Sequence, residues 1–297
     1  MRPELLQASD LLRKNTPEAV EEAIGLLQDT VFSFSMKMCG HRQDAEDTMQ
    51  EVLFRSLKHL SKLEGPNALA AWLYTVARNR CYRMRRGHVE GNGKKLSLDE
   101  LIPDEQELKS LLESKASPET AAIHSEEHHL LHRAILQIPT SLRMVLVLHD
   151  MEELTSEQIA AVLGLQLGTV RVRLHRARLA VRKEMSQRLN GIPERATAQK
   201  RTVQRPAECR ELFANLSEYL DARVEPRTCE QMRAHIEGCP ACVAFLKDLR
   251  AAVDRCRSFQ TSCDPNVAQR MRALMTQEYR RLIMTATEAP ARKAAGA

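Results

Sequence analysis

The sequence predicts an all-α protein built from small domains. Leu, Ala, Glu, Lys and Arg dominate its 297 residues, whereas Gly and Pro are few, which is a helical composition. Few stretches alternate apolar and polar residues with the period of two that is typical of strands. The length indicates about two domains, and about three small ones would also fit.

Charge, hydropathy and cysteine content indicate a cytoplasmic protein with basic surfaces and a cluster of cysteines. The net charge of +5 is mild, but Lys and Arg concentrate at 72–95 and 166–188, as on a solvated basic face or a nucleic-acid surface. No stretch has the roughly 18 apolar residues of a membrane span, and the N-terminus lacks a signal-peptide core, so we expect a cytoplasmic protein with no membrane partner. Six of the eight cysteines fall between Cys209 and Cys263, which in a reducing compartment favours metal binding. Cys39 and Cys81 stand alone and are predicted to be packing residues.

Residues 1–88 are predicted to form one helical domain. The stretch "PEAVEEAIGLLQDTVFSFSMKMCG" forms a first helix, with Pro17 in its first turn. A second helix is predicted over "DAEDTMQEVLFRSLKHL". Its acidic residues lie near the N-terminal end, where the helix dipole stabilises negative charge. A turn at "EGPN" follows, and a third helix is predicted over "ALAAWLYTVARNRCYRMRR". This helix is apolar in its N-terminal half and basic in its C-terminal half. A flexible linker with a short helix at 105–112 follows over 89–122.

Residues 123–190 are predicted to form a helix-turn-helix domain. Thr155 and Gln158 make a capping box that begins the first helix, and Gly164 can end it in the left-handed conformation. A turn at 165–167 leads into "GTVRVRLHRARLAVRKEM". The apolar seam of this second helix consists of Val170, Leu174, Ala177 and Val181. One basic flank consists of Arg171, His175, Arg178 and Arg182. The other basic flank consists of Arg173 and Arg176. Arginines bind guanine edges and phosphates, so the helix is interpreted as a DNA reader rather than as a merely solvated helix.

This domain resembles region 4 of extracytoplasmic-function sigma factors, the bacterial initiation factors that direct core RNA polymerase to particular promoters. The resemblance rests on Ile138-Pro139, Arg143, "QIA" at 158–160 and "GTVRVRLHRAR" at 168–178. It implies contacts to the promoter −35 element from Thr169, Arg171, Val172, Arg173, His175, Arg176 and Arg178. Val172 departs from the family pattern, in which a small polar residue is commoner at this position.

The first domain resembles region 2 of the same family. "DAEDTMQEVLFRSL" is similar to the family's docking surface for the polymerase clamp, which implies core-binding roles for Asp44, Glu46, Asp47, Gln50 and Glu51. "AWLYTVARNRCYRMRR" is similar to the regions that open the −10 element and hold its single strand, and the loop at 63–67 stands where the family captures a base. The implied −10 contacts are Asn67, Asn79, Arg80 and Arg83. An unpaired strand needs a basic groove for its backbone and a pocket that replaces base stacking. Trp72 could stack on a base, but its apolar neighbours favour a core role.

The stretch "HIEGCPAC" has metal-ligand spacing. His235, Cys239 and Cys242 can place three ligands on one zinc ion. A structural zinc takes four ligands, and either Cys209 or Cys229 can supply the fourth. "CRELFANLSEYLDARVEPRTCEQMRAHIEGCPAC" resembles the zinc-binding fold of anti-sigma factors, which implies that Cys209 is the fourth ligand. In so short a segment, one zinc ion, structural or redox-linked, could supply most of the folding free energy.

These patterns together predict a sigma factor with a fused zinc-binding domain. The expected partners are core RNA polymerase, promoter DNA, and either a separate anti-sigma factor or the chain's own zinc domain. An alternative is a zinc-dependent regulatory protein that sequesters a transcription partner without initiating transcription. The chain contains no P-loop, dinucleotide fingerprint or nucleophile elbow, so we do not expect an enzyme. The predicted segments are the region 2-like domain 1–88, the linker 89–122, the region 4-like domain 123–190, a linker 191–208, the zinc domain 209–250, and a helical tail 251–297 whose end we expect to be disordered.

Overall fold

The computed structural model describes residues 1–14, 16–60, 63–85, 101–102, 123–189 and 215–294. These residues form helices and connecting turns without any strand, which confirms the predicted all-α class. The helix predicted at 105–112, and Cys209, lie outside the described residues. The chain divides into two compact units: Met1–Gly91, Glu152–Gly164 and Gln260–Ala297 form unit 1, and Asn92–Met151 with Leu165–Phe259 form unit 2.

Unit 1 is a bundle of helices around an apolar core. Helices α2 and α3 pack together, and α1, α4 and α11 pack against one or both of them. Helix α7, which lies far from α4 in the sequence, packs directly on α4. The helices of this unit are α1 (Pro3–Lys14), α2 (Pro17–Cys39), α3 (Arg42–Leu57), α4 (Gly65–Arg85), α7 (Ser156–Leu163) and α11 (Pro265–Ala294).

Local signals explain where several helices of unit 1 begin and end. The side chain of Thr16 accepts a hydrogen bond from the backbone N–H of Ala19, and Pro17 is the first helical residue, as its position in the sequence predicted. Gly40 ends α2 with φ of 79°, a conformation that glycine adopts without strain. The turn predicted at 64–67 is shorter than expected, because Gly65 already begins α4.

Cys39 and Cys81 were expected to stand alone and do not. Their Sγ atoms lie 3.3 Å apart and both side chains are buried. The pair joins the end of α2 to the basic half of α4. Their separation of 42 positions in sequence concealed the contact.

Unit 2 is organised around the long helix α8. This helix packs against α5, α6 and α10, and its predicted apolar seam of Val170, Leu174, Ala177 and Val181 is buried. Arg143, a residue of the region 4 resemblance, is also buried, and it donates hydrogen bonds to the carbonyl groups of Leu136 and Ile138. The elements are α5 (Ile123–Gln137), α6 (Thr140–Leu146), a π-helix (Val147–Met151), α8 (Leu167–Leu189), helical residues 215–220, α9 (Pro226–Gly238) and α10 (Pro240–Ser258).

The predicted start and stop signals of α7 are confirmed. The Thr155 hydroxyl accepts from the Gln158 N–H at 3.3 Å, and the Gln158 side chain accepts from the Thr155 N–H at 2.8 Å. Gly164 ends the helix with φ of 64°. Helix α8 begins at Leu167, so the last residue of the predicted turn is already helical.

Candidate nucleic-acid interface and metal centre

One basic flank of α8 is covered by residues from the C-terminal part of the chain. We call this flank the covered face; it consists of Arg171, His175, Arg178 and Arg182, which recur every three or four positions along the helix. Residues 217–221 and Asp248 contact it. Three of its four side chains are buried, and only Arg171 is exposed.

Arg178 lies at the centre of the covered face and binds two carboxylates. Its Nε and Nη2 atoms donate to Asp150 at 2.8 and 2.6 Å, and its Nη1 and Nη2 atoms donate to Asp221 at 3.0 and 2.8 Å. Nη1 also donates to the backbone carbonyl of Ser217 at 3.1 Å. The guanidinium is fully buried, so these bonds replace its hydration.

Asp150 and Arg178 stabilise each other's charged forms. Burial alone would raise the pKa of Asp150, but the hydrogen bonds and charge of Arg178 outweigh it and hold that pKa well below the usual range. Burial likewise disfavours the charged guanidinium, and the bonds to Asp150 and Asp221 still raise the pKa of Arg178. Asp150 and Arg178 are therefore both ionised at neutral pH.

His175, predicted to contact DNA, is buried beside residue 217. Its Nδ1 atom is 3.3 Å from the Ser217 hydroxyl oxygen, and its Nε2 atom has no hydrogen-bond partner among the described residues. Burial lowers the pKa of His175 to about 4, and the nearby charges of Arg178 and Arg176 act in the same direction. The ring is therefore neutral at physiological pH.

The remaining two members of the covered face contact acids from the C-terminal segment. An Arg182 nitrogen lies 3.5 Å from an Asp248 oxygen, and the Arg182 guanidinium carbon lies 4.9 Å from the centre of the Phe245 ring, a cation–π distance. Arg171 lies 3.7 Å from Glu218 at the more exposed end of the face. Each of the three arginines of the covered face therefore lies beside an acidic side chain.

The other predicted −35 residues lie on the open side of α8. Val172 is 53% exposed, Arg176 is exposed, and Thr169 and Arg173 are partly exposed. Of the acids that the structure describes, none forms an ion pair with Arg173 or Arg176. The two basic flanks of α8 thus differ in their surroundings.

The predicted −10 residues lie on α4 and are engaged within unit 1. Arg80 and Arg83 both contact Glu51 of α3, at 2.8 and 3.0 Å. Asn67 accepts a hydrogen bond from the side chain of Gln158 at 2.7 Å, and Asn79 accepts from Arg78.

Trp72, which was assigned to the core, is only partly buried. It lies 4.4 Å from the His59 ring, between ring centres, in a depression that Phe54, Arg55, Lys58 and Val76 also line.

The predicted polymerase-binding residues share the helix α3. Asp47 and Gln50 are exposed, and Asp44, Glu46 and Glu51 are partly exposed. Glu46 pairs with Arg42 at 3.1 Å, and Glu51 pairs with Arg55 at 2.7 Å. Helix α11 packs against α2 and α3.

The metal-ligand pattern is gathered at the junction of α9 and α10. One ligand atom from each of His235, Cys239 and Cys242 lies within 4.8 Å of the others, and His235 Nε2 is 3.4 Å from Cys242 Sγ. His235 is in the last turn of α9, Cys239 separates the helices, and Cys242 is in the first turn of α10. An imidazole and two thiols suit zinc, so the residues present fit the predicted ion. Cys229 is not a member of this group.

A second cluster of potential ligands, His149, Asp150 and Asp221, surrounds Arg178. Both carboxylates already bind the Arg178 guanidinium, and Asp221 also lies 3.4 Å from Arg257. The cluster is thus explained by the ion pairs of Arg178.

A buried carboxylate in unit 1 was missed by the sequence reasoning. Glu152 is 0% exposed and its Oε1 atom lies 2.7 Å from Lys37 Nζ. Its Oε2 atom accepts from the Tyr74 hydroxyl at 2.9 Å and lies 3.3 Å from Arg2 Nε. The partners come from the N-terminus, α2 and α4, so no local pattern pointed to them.

Comparisons with known proteins match the chain in three places. The family "Sigma-70 region 2" matches residues 24–89, "Sigma-70, region 4" matches residues 128–181, and a zinc-finger family matches residues 209–242. Among the described residues, no helix combines the length and apolar character needed to cross a membrane.

Curated relatives match more than half of the chain. The chain is 27% identical over 182 residues to the RNA polymerase sigma-H factor of Pseudomonas aeruginosa, covering 60% of this chain and 92% of the relative. It is 25% identical over 177 residues to the ECF RNA polymerase sigma factor SigW of Bacillus subtilis, covering 59% and 92%. A solved sigma factor, RpoE in complex with the anti-sigma factor NepR from Bartonella quintana, is 20% identical with a TM-score of 0.39, covering 54% of this chain and 92% of that one. The chain thus contains sequences similar to sigma-70 region 2 and region 4, in that order, with a zinc-finger match behind them, and its curated relatives include extracytoplasmic-function sigma factors.

Proposed function

We propose that this protein directs core RNA polymerase to specific promoters, and that its C-terminal zinc-binding segment restrains it. The observation that carries the proposal is the presence of both sigma regions in order, with relatives that match over nine tenths of their own length. The protein itself is not an enzyme, since the polymerase performs the chemistry of RNA synthesis.

The two sigma regions divide the task of promoter recognition. Asp44, Glu46, Asp47, Gln50 and Glu51 on α3 dock on core polymerase. Asn67, Asn79, Arg80 and Arg83 hold the opened −10 strand, and the depression lined by Trp72 of the same helix offers an aromatic ring on which a base could stack. Helix α8 enters the major groove at the −35 element, where Thr169, Val172, Arg173 and Arg176 present the face that is open in this structure.

The C-terminal segment holds one zinc ion through Cys209, His235, Cys239 and Cys242. The proximity of the last three ligand atoms supports this assignment. Zinc bound there links the end of α9 to the start of α10 and leaves no position for a catalytic water. The ion is therefore structural, and it fixes the segment that contacts α8.

The zinc-binding segment restrains the protein because it covers one flank of α8. Arg171, His175 and Arg178 are among the residues assigned to the −35 element, and each contacts residues 217–221. A major-groove helix cannot keep these contacts and also turn the same flank to DNA. The segment accordingly acts in the manner of an anti-sigma factor within one chain.

Transcription with purified core polymerase tests the proposed function. Genomic DNA of the source organism serves as the template, and RNA 5′ ends are mapped with and without the full-length protein. New start sites that share upstream elements are expected. The exposed Asp47 is changed to Lys to weaken docking, with Asp10→Lys on α1 as the matched control, because Asp10 is also exposed and acidic.

The outcome separates the two functions considered. Start sites that appear with the wild type and the control, but not with Asp47→Lys, support the sigma role. If no start sites appear and the protein does not bind core polymerase, the protein is instead a zinc-dependent regulator that sequesters another partner.

A further inference from the structure

We infer that Asp221 occupies the place of a DNA backbone phosphate on Arg178, so that DNA and the zinc-binding segment compete for one guanidinium. This inference rests on the proposed function, because it concerns the −35 reading helix. The ligand of Arg178 in this exchange is a phosphodiester, and Asp221 must leave before the phosphodiester binds.

The bonding geometry carries the inference. Arg178 holds Asp221 through two nitrogens, Nη1 and Nη2, at 3.0 and 2.8 Å. A guanidinium binds carboxylate and phosphate in this same two-bond arrangement, because both anions present a pair of oxygens at matching spacing. Asp221 therefore fills a site whose shape also accepts a phosphate.

The two aspartates on Arg178 have different origins and different roles. Asp150 belongs to the π-helix within the matched region 4, whereas Asp221 follows helical residues 215–220 in the matched zinc-finger segment. Asp150 binds Nε and Nη2 and so fixes the orientation of the guanidinium. It is a positioning residue: it stays with α8, and Asp221 is the anion that can be exchanged.

The pattern of acids along α8 supports exchange rather than accidental packing. Glu218 and Asp248, both from the C-terminal part of the chain, lie beside Arg171 and Arg182 on the same face. On the open side, the described acids leave Arg173 and Arg176 without an ion pair. The acids of this segment are thus placed along one flank of the helix, where a phosphate backbone would also lie.

Removal of the Asp221 charge should therefore strengthen DNA binding by the intact protein. Asp221→Asn keeps the size of the side chain and removes the competing anion. We expect a generic DNA duplex to bind the full-length variant about tenfold more tightly than the wild type. Because one more phosphate is engaged, the plot of log K against log salt concentration should be steeper by about one.

The matched control is Asp254→Asn. Asp254 lies on α10, is 60% exposed, and pairs with Arg257, which also contacts Asp221. The control makes the same change in net charge without touching α8. Fluorescence anisotropy with the labelled duplex, over a series of salt concentrations, compares the three proteins, and circular dichroism verifies that each is folded.

Two results would overturn the inference. Equal affinities and salt slopes for Asp221→Asn and Asp254→Asn would show that Asp221 does not compete with phosphate. The second result is that the double variant Arg178→Lys Asp221→Asn binds DNA as tightly as Asp221→Asn does. That result would place the phosphate elsewhere, because lysine keeps the positive charge but cannot bind a phosphate with two nitrogens. The first comparison does not depend on the folding of the double variant.

These results are also distinct from the failure of the proposed function. A protein that initiates transcription, but whose two Asp→Asn variants bind DNA alike, refutes the phosphate exchange alone. A gain in DNA binding by a protein that never supports transcription refutes the sigma role and leaves the exchange standing.

Discussion

Lys37 and Glu152 form an ion pair from which water is completely excluded: both side chains are 0% exposed and the Nζ–Oε1 distance is 2.7 Å. They are 115 positions apart in the sequence. The pair ties the residues that precede α7 to helix α2, so the position of α7 within unit 1 depends on it.

Breaking this pair from one side should be costly. Lys37→Met leaves the Glu152 carboxylate buried without its ammonium partner, and we expect the free energy of unfolding to fall by about 3 kcal/mol. Urea denaturation followed by circular dichroism measures the change. Lys14→Met, at an exposed position of α1, should change it by less than about 0.5 kcal/mol. A Lys37→Met variant as stable as that control would contradict the prediction.

His175 should give unit 2 a specific dependence on pH. An unfolded histidine has a pKa of about 6.5, whereas the folded pKa of His175 is about 4. Between these values the unfolded chain binds more protons, so the stability contributed by neutral His175 is complete above about pH 6.5 and is lost as the pH falls toward 4. The loss at pH 5 is about 2 kcal/mol.

The measurement is the unfolding free energy at pH 7 and pH 5 for the wild type and His175→Gln. The difference between the two pH values should shrink in the variant. His41→Gln, at an exposed position, should leave the difference unchanged. An NMR titration in which the His175 ring protons shift with a midpoint at about pH 6.5 would also disprove the prediction.

Metal analysis should distinguish the ligand cysteines from Cys229. We expect the purified wild type to contain a single zinc ion per chain, and Cys242→Ser and Cys209→Ser to lose it, because a tetrahedral site needs all four ligands. Cys229→Ser should retain it, since Cys229 is outside the group formed by the other ligands. Full zinc in Cys209→Ser, together with loss in Cys229→Ser, would reverse the assignment of the fourth ligand.

The capping box of α7 should contribute measurably to the stability of unit 1. Thr155→Ala removes the acceptor of the Gln158 N–H and should lower the free energy of unfolding by about 1 kcal/mol. Thr155→Ser keeps the hydroxyl and should cost only a few tenths of that amount. Equal losses in the two variants would show that the methyl group, not the cap, matters.

The sequence was most informative where structure depends on neighbouring residues. Thr16 and Pro17 marked the start of α2, and Thr155, Gln158 and Gly164 marked both ends of α7, because caps and turns are local. The three metal ligands gathered by the structure were likewise visible, since a spacing of a few residues at a helix junction brings them together.

Contacts between distant residues could not be predicted in this way. Both flanks of α8 are basic in sequence, and residues distant in the chain, such as Asp221 and Ser217, which lie 43 and 39 residues from Arg178, decide which flank is covered. Asp150, at the end of an aliphatic run, was an available signal, because a buried acid requires a cationic partner. Helical periodicity identified the apolar seam but not the partner of each charge.

The order in which the chain contributes to its two units has a consequence for genetics and for protein engineering. Unit 1 is assembled from three separate stretches of the polypeptide and unit 2 from two, and α11 returns to α2 and α3 after the zinc-finger segment. A stop codon placed after α8 would therefore remove a helix from unit 1 as well as the restraint on α8. Apolar surface on α2 and α3 would be uncovered at the same time, with aggregation as the expected cost. Single-residue changes such as Asp221→Asn release the restraint without that second effect, so the phenotypes of truncated alleles should not be equated with those of an unrestrained factor.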